Sequence, residues 1–189
     1  MTRIISGTAR GRSIKVPSEG TRPTSDRARE GLFSSLQVRF GFVDEVVLDL
    51  FAGSGALGLE AASRGAKEVT LVDNSDAAVK TIKDNARVVP EAKVQVVEAK
   101  ASSFLAGAPR NYYTMVLADP PYELTDEAVA EMVEALIPVL TSDAVVVVER
   151  NSASPETAWP EGFEPTGQKL KKRTYGIARF DMAIWRGEG

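Results

Sequence analysis

The chain has 189 residues, 43% apolar and 26% charged, which suits one globular domain with a substantial core. It contains no cysteine and no histidine, which excludes disulfides, thiolate metal sites, cysteine nucleophiles, histidine bases and Ser-His-Asp triads. The net charge of −3 is uneven: residues 1–39 sum to +5, residues 40–150 to −9 and residues 151–189 to +1, so a basic arm precedes an acidic body, as an anionic partner would select.

Two short alternating stretches, Arg3–Ser6 and Arg12–Val16, flank Gly7 and Gly11 and predict a β-hairpin. Pro17 to Pro23 reads as a linker. Thr24, Ser25 or Asp26 caps a predicted helix that buries Ala28, Leu32, Leu36 and Phe40. From Val46 the pattern alternates strand and helix. Strands are expected at Val46–Leu50, Glu68–Val72, Val94–Glu98, Thr114–Ala118 and Ala144–Glu149. Helices are expected from Ala56, from Ser75 or Asp76 to before Pro90, around Ser102–Leu105, and from Thr125 or Asp126 to about Ile137. Such a rhythm predicts an α/β, Rossmann-like fold: a mostly parallel sheet with helices on both faces. Ser152–Glu161 is a polar loop, and Phe163–Tyr175 and Ala178–Trp185 read as a closing strand pair that completes seven strands. No apolar run approaches the ~18 residues of a membrane span, and the first residues lack a signal-peptide apolar stretch. A cytoplasmic, membrane-free, metal-free monomer is the expectation.

Two motifs carry chemistry. Leu48–Gly58 contains Gly53-Ser54-Gly55-Ala56-Leu57-Gly58, a glycine-rich turn from strand to helix that lets a ligand approach the backbone and offers it a helix N-terminus. The literal G-x-G-x-x-G also fits a dinucleotide enzyme. Asp73, at the end of the second strand of the alternation, can accept both hydroxyls of a ribose. Asn74 is placed to lie along the adenine. Asp49 either orders the glycine turn or meets an ammonium group. The second motif, Asp119-Pro120-Pro121-Tyr122, follows an apolar strand and offers a carboxylate, carbonyls beside prolines that lack N–H donors, and an aromatic face. This acceptor-rich pocket suits an exocyclic amine on a planar base, and with the glycine turn it implies transfer of a methyl group from S-adenosylmethionine. A nicotinamide-dependent oxidoreductase and a non-catalytic RNA-binding protein are the readings of other classes. N6-adenine methylation of RNA or DNA, and methylation of glutamine amides, are the nearer ones.

Read end to end, the chain resembles the bacterial small-subunit ribosomal RNA methyltransferase D family, whose members methylate a guanine N2 in 16S rRNA. The resemblance rests on Arg3–Gly7 with Arg10-Gly11-Arg12, on Arg22–Glu30, on Leu48–Gly58, Asp73 and Asp119–Tyr122, and on Tyr175-Gly176. It implies a class I S-adenosylmethionine-dependent methyltransferase, with residues 1–22 as an RNA-docking hairpin and linker and residues 23–189 as the catalytic domain. It further implies that Thr24 and Arg27 fold over the cofactor. Asp49, Phe51, Gly53, Gly55, Asp73, Asn74 and Ala101 border the cofactor, and Asp119 borders both it and the amine. Lys100 stands where many relatives have an acidic or amide residue, which leaves the ring to the Ala101 amide. Asp119 and the Pro120 carbonyl would hold the amine hydrogens while Tyr122 stacks on the base. Arg3, Arg10, Arg12, Arg22, Lys171, Lys172 and Arg173 would face 16S rRNA in a small ribosomal subunit.

Overall fold

In the computed structural model, residues 1–17 and 24–187 are described. The hairpin is there but short: β1 (Thr2–Arg3) pairs antiparallel with β2 (Ser13–Ile14). Helix α1 (Asp26–Arg39) follows, with Ser25 as its cap: the Ser25 hydroxyl accepts from the Ala28 amide at 3.1 Å. The alternation then runs β3 (Val46–Leu50), α2 (Ala56–Ser63), β4 (Glu68–Asp73), α3 (Asp76–Ala86), β5 (Lys93–Glu98), α4 (Ala101–Gly107), β6 (Tyr113–Ala118), α5 (Asp126–Leu136) and β7 (Leu140–Asn151). Ser75 caps α3 and Thr125 caps α5 through their hydroxyls.

The C-terminal region departs from expectation. Phe163–Tyr175 is not one strand: it divides into β8 (Phe163–Pro165), the short helix α6 (Leu170–Arg173) and β9 (Thr174–Tyr175). Gly167 takes a φ of +72°, and the Lys169–Arg173 run is a good helix former with no apolar alternation to hold it extended. Both strand pieces pair with β10 (Ala178–Trp185), on the edge opposite β7. Across the sheet the order is β5-β4-β3-β6-β7-β10-β8, with β9 beside β10. Seven positions are therefore filled, five of them by parallel strands and the sixth by the antiparallel β10.

Parallel central strands are dry on both faces, which is why β3, β6 and β7 read as nearly continuous apolar runs. One face packs Val47, Met115, Leu117 and Val147 under α1, α2 and α3. The other packs Leu48, Leu50, Val116 and Val146 under α4 and α5. The hairpin contributes Ile4, Ala9 and Ile14, all buried, to the first of these cores. The expected boundary near residue 22 lies outside the described residues. Among the described residues, no helix is long and apolar enough to cross a membrane.

A buried ion pair fixes the hairpin. Glu60 of α2 is 0% exposed. Its carboxylate accepts from the Ile5 amide at 2.7 Å, the Ser6 amide at 3.1 Å, Arg29 Nη1 at 3.3 Å and Arg64 Nε at 2.9 Å. Arg29, 1% exposed, also donates to the Arg3 carbonyl at 2.7 Å and the Thr2 hydroxyl at 2.8 Å. Asn85 of α3 makes a second clasp: its amide accepts from Lys15 N and donates to the carbonyls of Lys15 and Ser54, each at 2.8 Å. Removing one member of a dry charge cluster strands the others. Glu60→Leu is therefore expected to cost roughly 3–5 kcal/mol in urea unfolding, and the Arg29→Met/Glu60→Leu double variant clearly less than the sum of the two single changes.

Candidate active site

The sheet order reverses between β3 and β6, where open α/β sheets bind their ligands beyond the strand carboxyl ends. The turn from β3 into α2 is held in a left-handed backbone: φ is +60° at Phe51, +59° at Gly53 and +84° at Gly55, the N-cap of α2. Phe51 is the costly member, since a bulky side chain disfavours this region. Gly58 is required by packing. A Cβ there would lie 2.5 Å from Leu71 Cδ2 and 3.0 Å from Asp49 Oδ2. A Cβ on Gly53 would meet nothing within 4 Å, so the backbone at Gly53 is open to a ligand.

The two acids flanking this turn hold it. Asp49 Oδ2 accepts from the Gly58 amide at 2.9 Å, and Asp73 accepts from Gly53 N at 3.0 Å and from Ser75 N at 2.9 Å. Asp73 thus orders two loops as well as facing the cleft, more structural work than a free strand end would do. The cleft has a volume of about 460 Å³, within the range of small-molecule sites. Asp49, Phe51, Gly53, Asp73, Asn74, Thr81, Asp119 and Pro121 line it, together with Thr2, Val16, Pro17 and Thr24 from the N-terminal arm and the start of α1.

Asp49 is 1% exposed, and its Oδ1 has no hydrogen-bond partner among the described residues. Burial, opposed by the Gly58 amide and reinforced by the charge of Asp73, raises its carboxyl to about 7. S-adenosylmethionine fits this donor set: an ammonium for the unpartnered Asp49 oxygen, ribose hydroxyls for Asp73, and a carboxylate for the open backbone at the start of α2.

Asp119 follows β6, its amide donating to the Leu50 carbonyl at 3.3 Å. Pro120 is buried, Pro121 exposed and Tyr122 half-buried. The Thr24 hydroxyl lies 3.3 Å from Asp119 Oδ2 and 2.9 Å from Glu149 Oε2 on β7. Burial, then the hydrogen bond and charge of Glu149, and then Asp49, hold the Asp119 carboxyl well above its usual range, with Thr24 opposing. Glu149 is absent from the sequence-based site. A lone glutamate closing a run of four valines was its only signal.

Thr24, Asp49, Phe51, Gly53, Asp73, Asn74 and Asp119 thus come together at one cleft. Gly55 shapes it. Arg27 is exposed on the first turn of α1, and Ala101, the first residue of α4, packs toward the second core; neither lines the cleft. Arg22 lies outside the described residues. Arg3, Arg10, Arg12, Lys171 and Lys172 are exposed, with Arg3 donating to the Gly11 carbonyl at 3.4 Å and Arg12 to that of Val88. Arg173 differs from expectation. Its guanidinium pairs with Asp181 and Glu156 and donates to the Gln168 carbonyl at 3.0 Å, so its charge is neutralised within the fold. Among the described residues, no three acids converge closely enough to hold a metal ion.

The raised Asp49 carboxyl predicts an unusual pH dependence. Unfolded, it ionises near 3.8; folded, it keeps its proton to about 7. The folded state therefore binds the extra proton between those values, and its stability falls as pH rises through that window. The displacement corresponds to roughly 4 kcal/mol. Asp49→Asn is expected to flatten this slope in denaturant titrations run from pH 4 to pH 8.

Comparison with known proteins agrees with this geometry. The family described as Conserved hypothetical protein 95 matches residues 2–184. Ribosomal RNA small subunit methyltransferase D of Escherichia coli (strain K12) is 46% identical over 123 residues, 64% of this chain and 60% of that protein, so the match spans less than two thirds of the relative. The Haemophilus influenzae protein of the same name is 34% identical over 187 residues, 95% of this chain and 92% of that one. The solved structure named "Putative methyltransferase yhhF from Escherichia coli" superimposes with a TM-score of 0.80 at 33% identity, covering 99% of both chains. With the Rossmann-like sheet, the glycine turn and Asp119–Tyr122 in register, the chain has the class I methyltransferase fold and belongs to the ribosomal RNA small subunit methyltransferase D family.

Proposed function

We propose that this protein methylates the exocyclic N2 amine of a guanine in 16S rRNA, using S-adenosylmethionine, in the cytoplasm and on an assembling or assembled small ribosomal subunit. The observation that carries the reading is the meeting of Asp119 with Asp49 and Asp73 around one cleft, an amine acceptor beside a cofactor-sized site. The names of the relatives point to the same substrate class.

When bound, the cofactor would supply an electrophilic methyl group to the amine lone pair and leave as a neutral thioether, the displaced amine proton passing to water. The chain's residues do the rest. Asp49 would hold the ammonium of the cofactor and Asp73 its ribose. Asp119 and the Pro120 carbonyl accept the two amine hydrogens, and Tyr122 stacks on the base, so that nitrogen is aimed along one line. Asp119 stands beside the positive charge that develops on that nitrogen. No strong base is needed, because a methylated ammonium of this kind is acidic. The guanine must leave its stack to reach the cleft, which favours a loop base.

Tritiated methyl transfer to small subunits lacking the modification, set against naked 16S rRNA and DNA and followed by mapping of the labelled base, tests the proposal. Label on DNA, or on an adenine N6, would refute it. Asp73→Ala is expected to weaken cofactor binding at least tenfold by calorimetry and also to lower the melting temperature, since two backbone bonds go with it. Asp119→Ala should bind cofactor nearly as well as wild type and lose several orders of magnitude in single-turnover rate.

Arg10, Lys171 and Lys172 are the exposed cations proposed to face RNA. Changing all three to alanine should leave cofactor affinity unchanged and flatten the salt dependence of subunit binding. The expected change is roughly 0.7–0.9 in log–log slope per lost phosphate contact. An unchanged slope in the folded variant would remove them from the interface.

A further inference from the structure

Asn85 clasps the arm, but the same side chain also reaches the glycine turn. It is buried near the carboxyl end of α3. Its amide oxygen accepts from the Lys15 N–H, and its nitrogen donates to the Lys15 and Ser54 carbonyls, each at 2.8 Å. The acceptor atom and both N–H donors are thus in use, a set that a carboxylate, a hydroxyl or an apolar side chain does not offer. The Ser54 carbonyl has a particular need of a donor. In a continuing helix the Gly58 amide would reach back four residues to it, but that amide donates to Asp49 instead. Among the described residues, no other backbone amide takes its place. Asn85 supplies the missing bond from a different helix.

Its neighbours tie this bond to the cleft. Thr81, one turn before Asn85 on α3, lines the cleft with Ala77 and Ala78, so one face of the helix borders the ligand space and then grips the turn beside it. Val16 and Pro17, which follow Lys15, line the cleft from the arm, and Ser54 lines it from the glycine turn. Asn85 itself is not in the lining.

We propose that Asn85 is a positioning residue for the cofactor: one carboxamide sets Ser54 and the Lys15–Pro17 stretch at the separation that S-adenosylmethionine requires. The inference rests on the reading of this cleft as the S-adenosylmethionine site. Without the two N–H donors, both carbonyls are left unpaired. The glycine turn then loses its hold on α3, and the arm side of the cleft loses its hold on both.

Asn85→Leu keeps nearly the same shape and removes all three bonds. Calorimetry of S-adenosylmethionine binding to the full chain, at a temperature where each protein is fully folded, compares it with wild type and with Leu140→Ala. Leu140 is buried at the start of β7, the end of the sheet away from the cleft. Both variants should melt lower, but only Asn85→Leu should bind the cofactor more weakly, by roughly tenfold or more. A merely structural Asn85 would leave the affinity of the folded variant at the wild-type value, and that result overturns the proposal. Hydrogen exchange of wild type supplies a second measurement. Cofactor should slow exchange of the Lys15 amide, held by Asn85, together with that of Gly55 in the turn. A Lys15 amide that exchanges alike with and without cofactor overturns the proposal whether or not the variant folds. If wild type binds no S-adenosylmethionine, the cofactor reading fails instead, and with it the role assigned to Asn85.

Discussion

The fold hangs on one buried carboxylate. Glu60 sits inside the first core with no exposed surface, and its two oxygens collect two backbone amides from the hairpin and two guanidinium groups, one from α1 and one from Arg64 at the C-terminal cap of α2. Neither hairpin strand has more than two residues, far too few to be stable alone. The hairpin exists because Glu60, Arg29 and Asn85 hold it. Asn85 joins the arm to the Ser54 carbonyl within the glycine turn itself, so the arm and the cofactor turn are parts of one hydrogen-bonded body. Thr2, Val16 and Pro17 consequently form a side of the cleft, and the basic arm and the chemistry are placed by the same contacts.

A second consequence concerns charge. Asp49, Asp119 and Glu149 occupy the same face of β3, β6 and β7, near their carboxyl ends, with Asp49 and Glu149 buried and Asp119 half-buried at the cleft. Burial raises the carboxyls of Asp49 and Asp119, so each of these two costs the empty protein stability when ionised. An acidic, poorly solvated floor favours cationic ligands and discriminates against neutral ones of the same shape. A sulfonium cofactor and its neutral thioether product differ in this respect and in little else. The cleft is therefore suited to hold the former and release the latter.

Much of this was legible in the sequence, for identifiable reasons. The parallel strands are apolar on both faces, and the hydroxyl caps at Ser25, Ser75 and Thr125 mark helix starts, so β3, α2 and α5 fall within a residue or two of expectation. Asp49, Asp73 and Asp119 announce themselves as acids at strand ends beside glycines or prolines. What escaped is what depends on tertiary partners. Arg29 lies in the Arg22–Glu30 segment, where the sequence assigns it no role, and is a buried clasp. Arg173 belongs to a basic cluster, yet it is neutralised by Asp181 and Glu156, far from it in sequence or on another strand. Glu149 closes a valine run and becomes significant only when β7 lies beside β6. The split of Phe163–Tyr175 arises because residues between β8 and β9 lack the alternation that would keep them extended.

That split has an effect on how molecules of this protein meet one another. A sheet's outer strand exposes a row of unpaired amides and carbonyls that can template pairing with another chain. Here the outer position next to β10 is filled by three residues at one end and two at the other, with a lysine-bearing helical turn between them. On this side of the sheet a neighbouring molecule finds no straight edge of useful length and meets like charge where it would dock. Tyr175 makes the break compact: its ring packs so closely over Gly31 of α1 that a Cβ there would be 2.1 Å from the phenol oxygen. A single methyl group at Gly31 would have to displace the outer end of that ring, loosening the seat of Tyr175 on α1 that keeps the break compact.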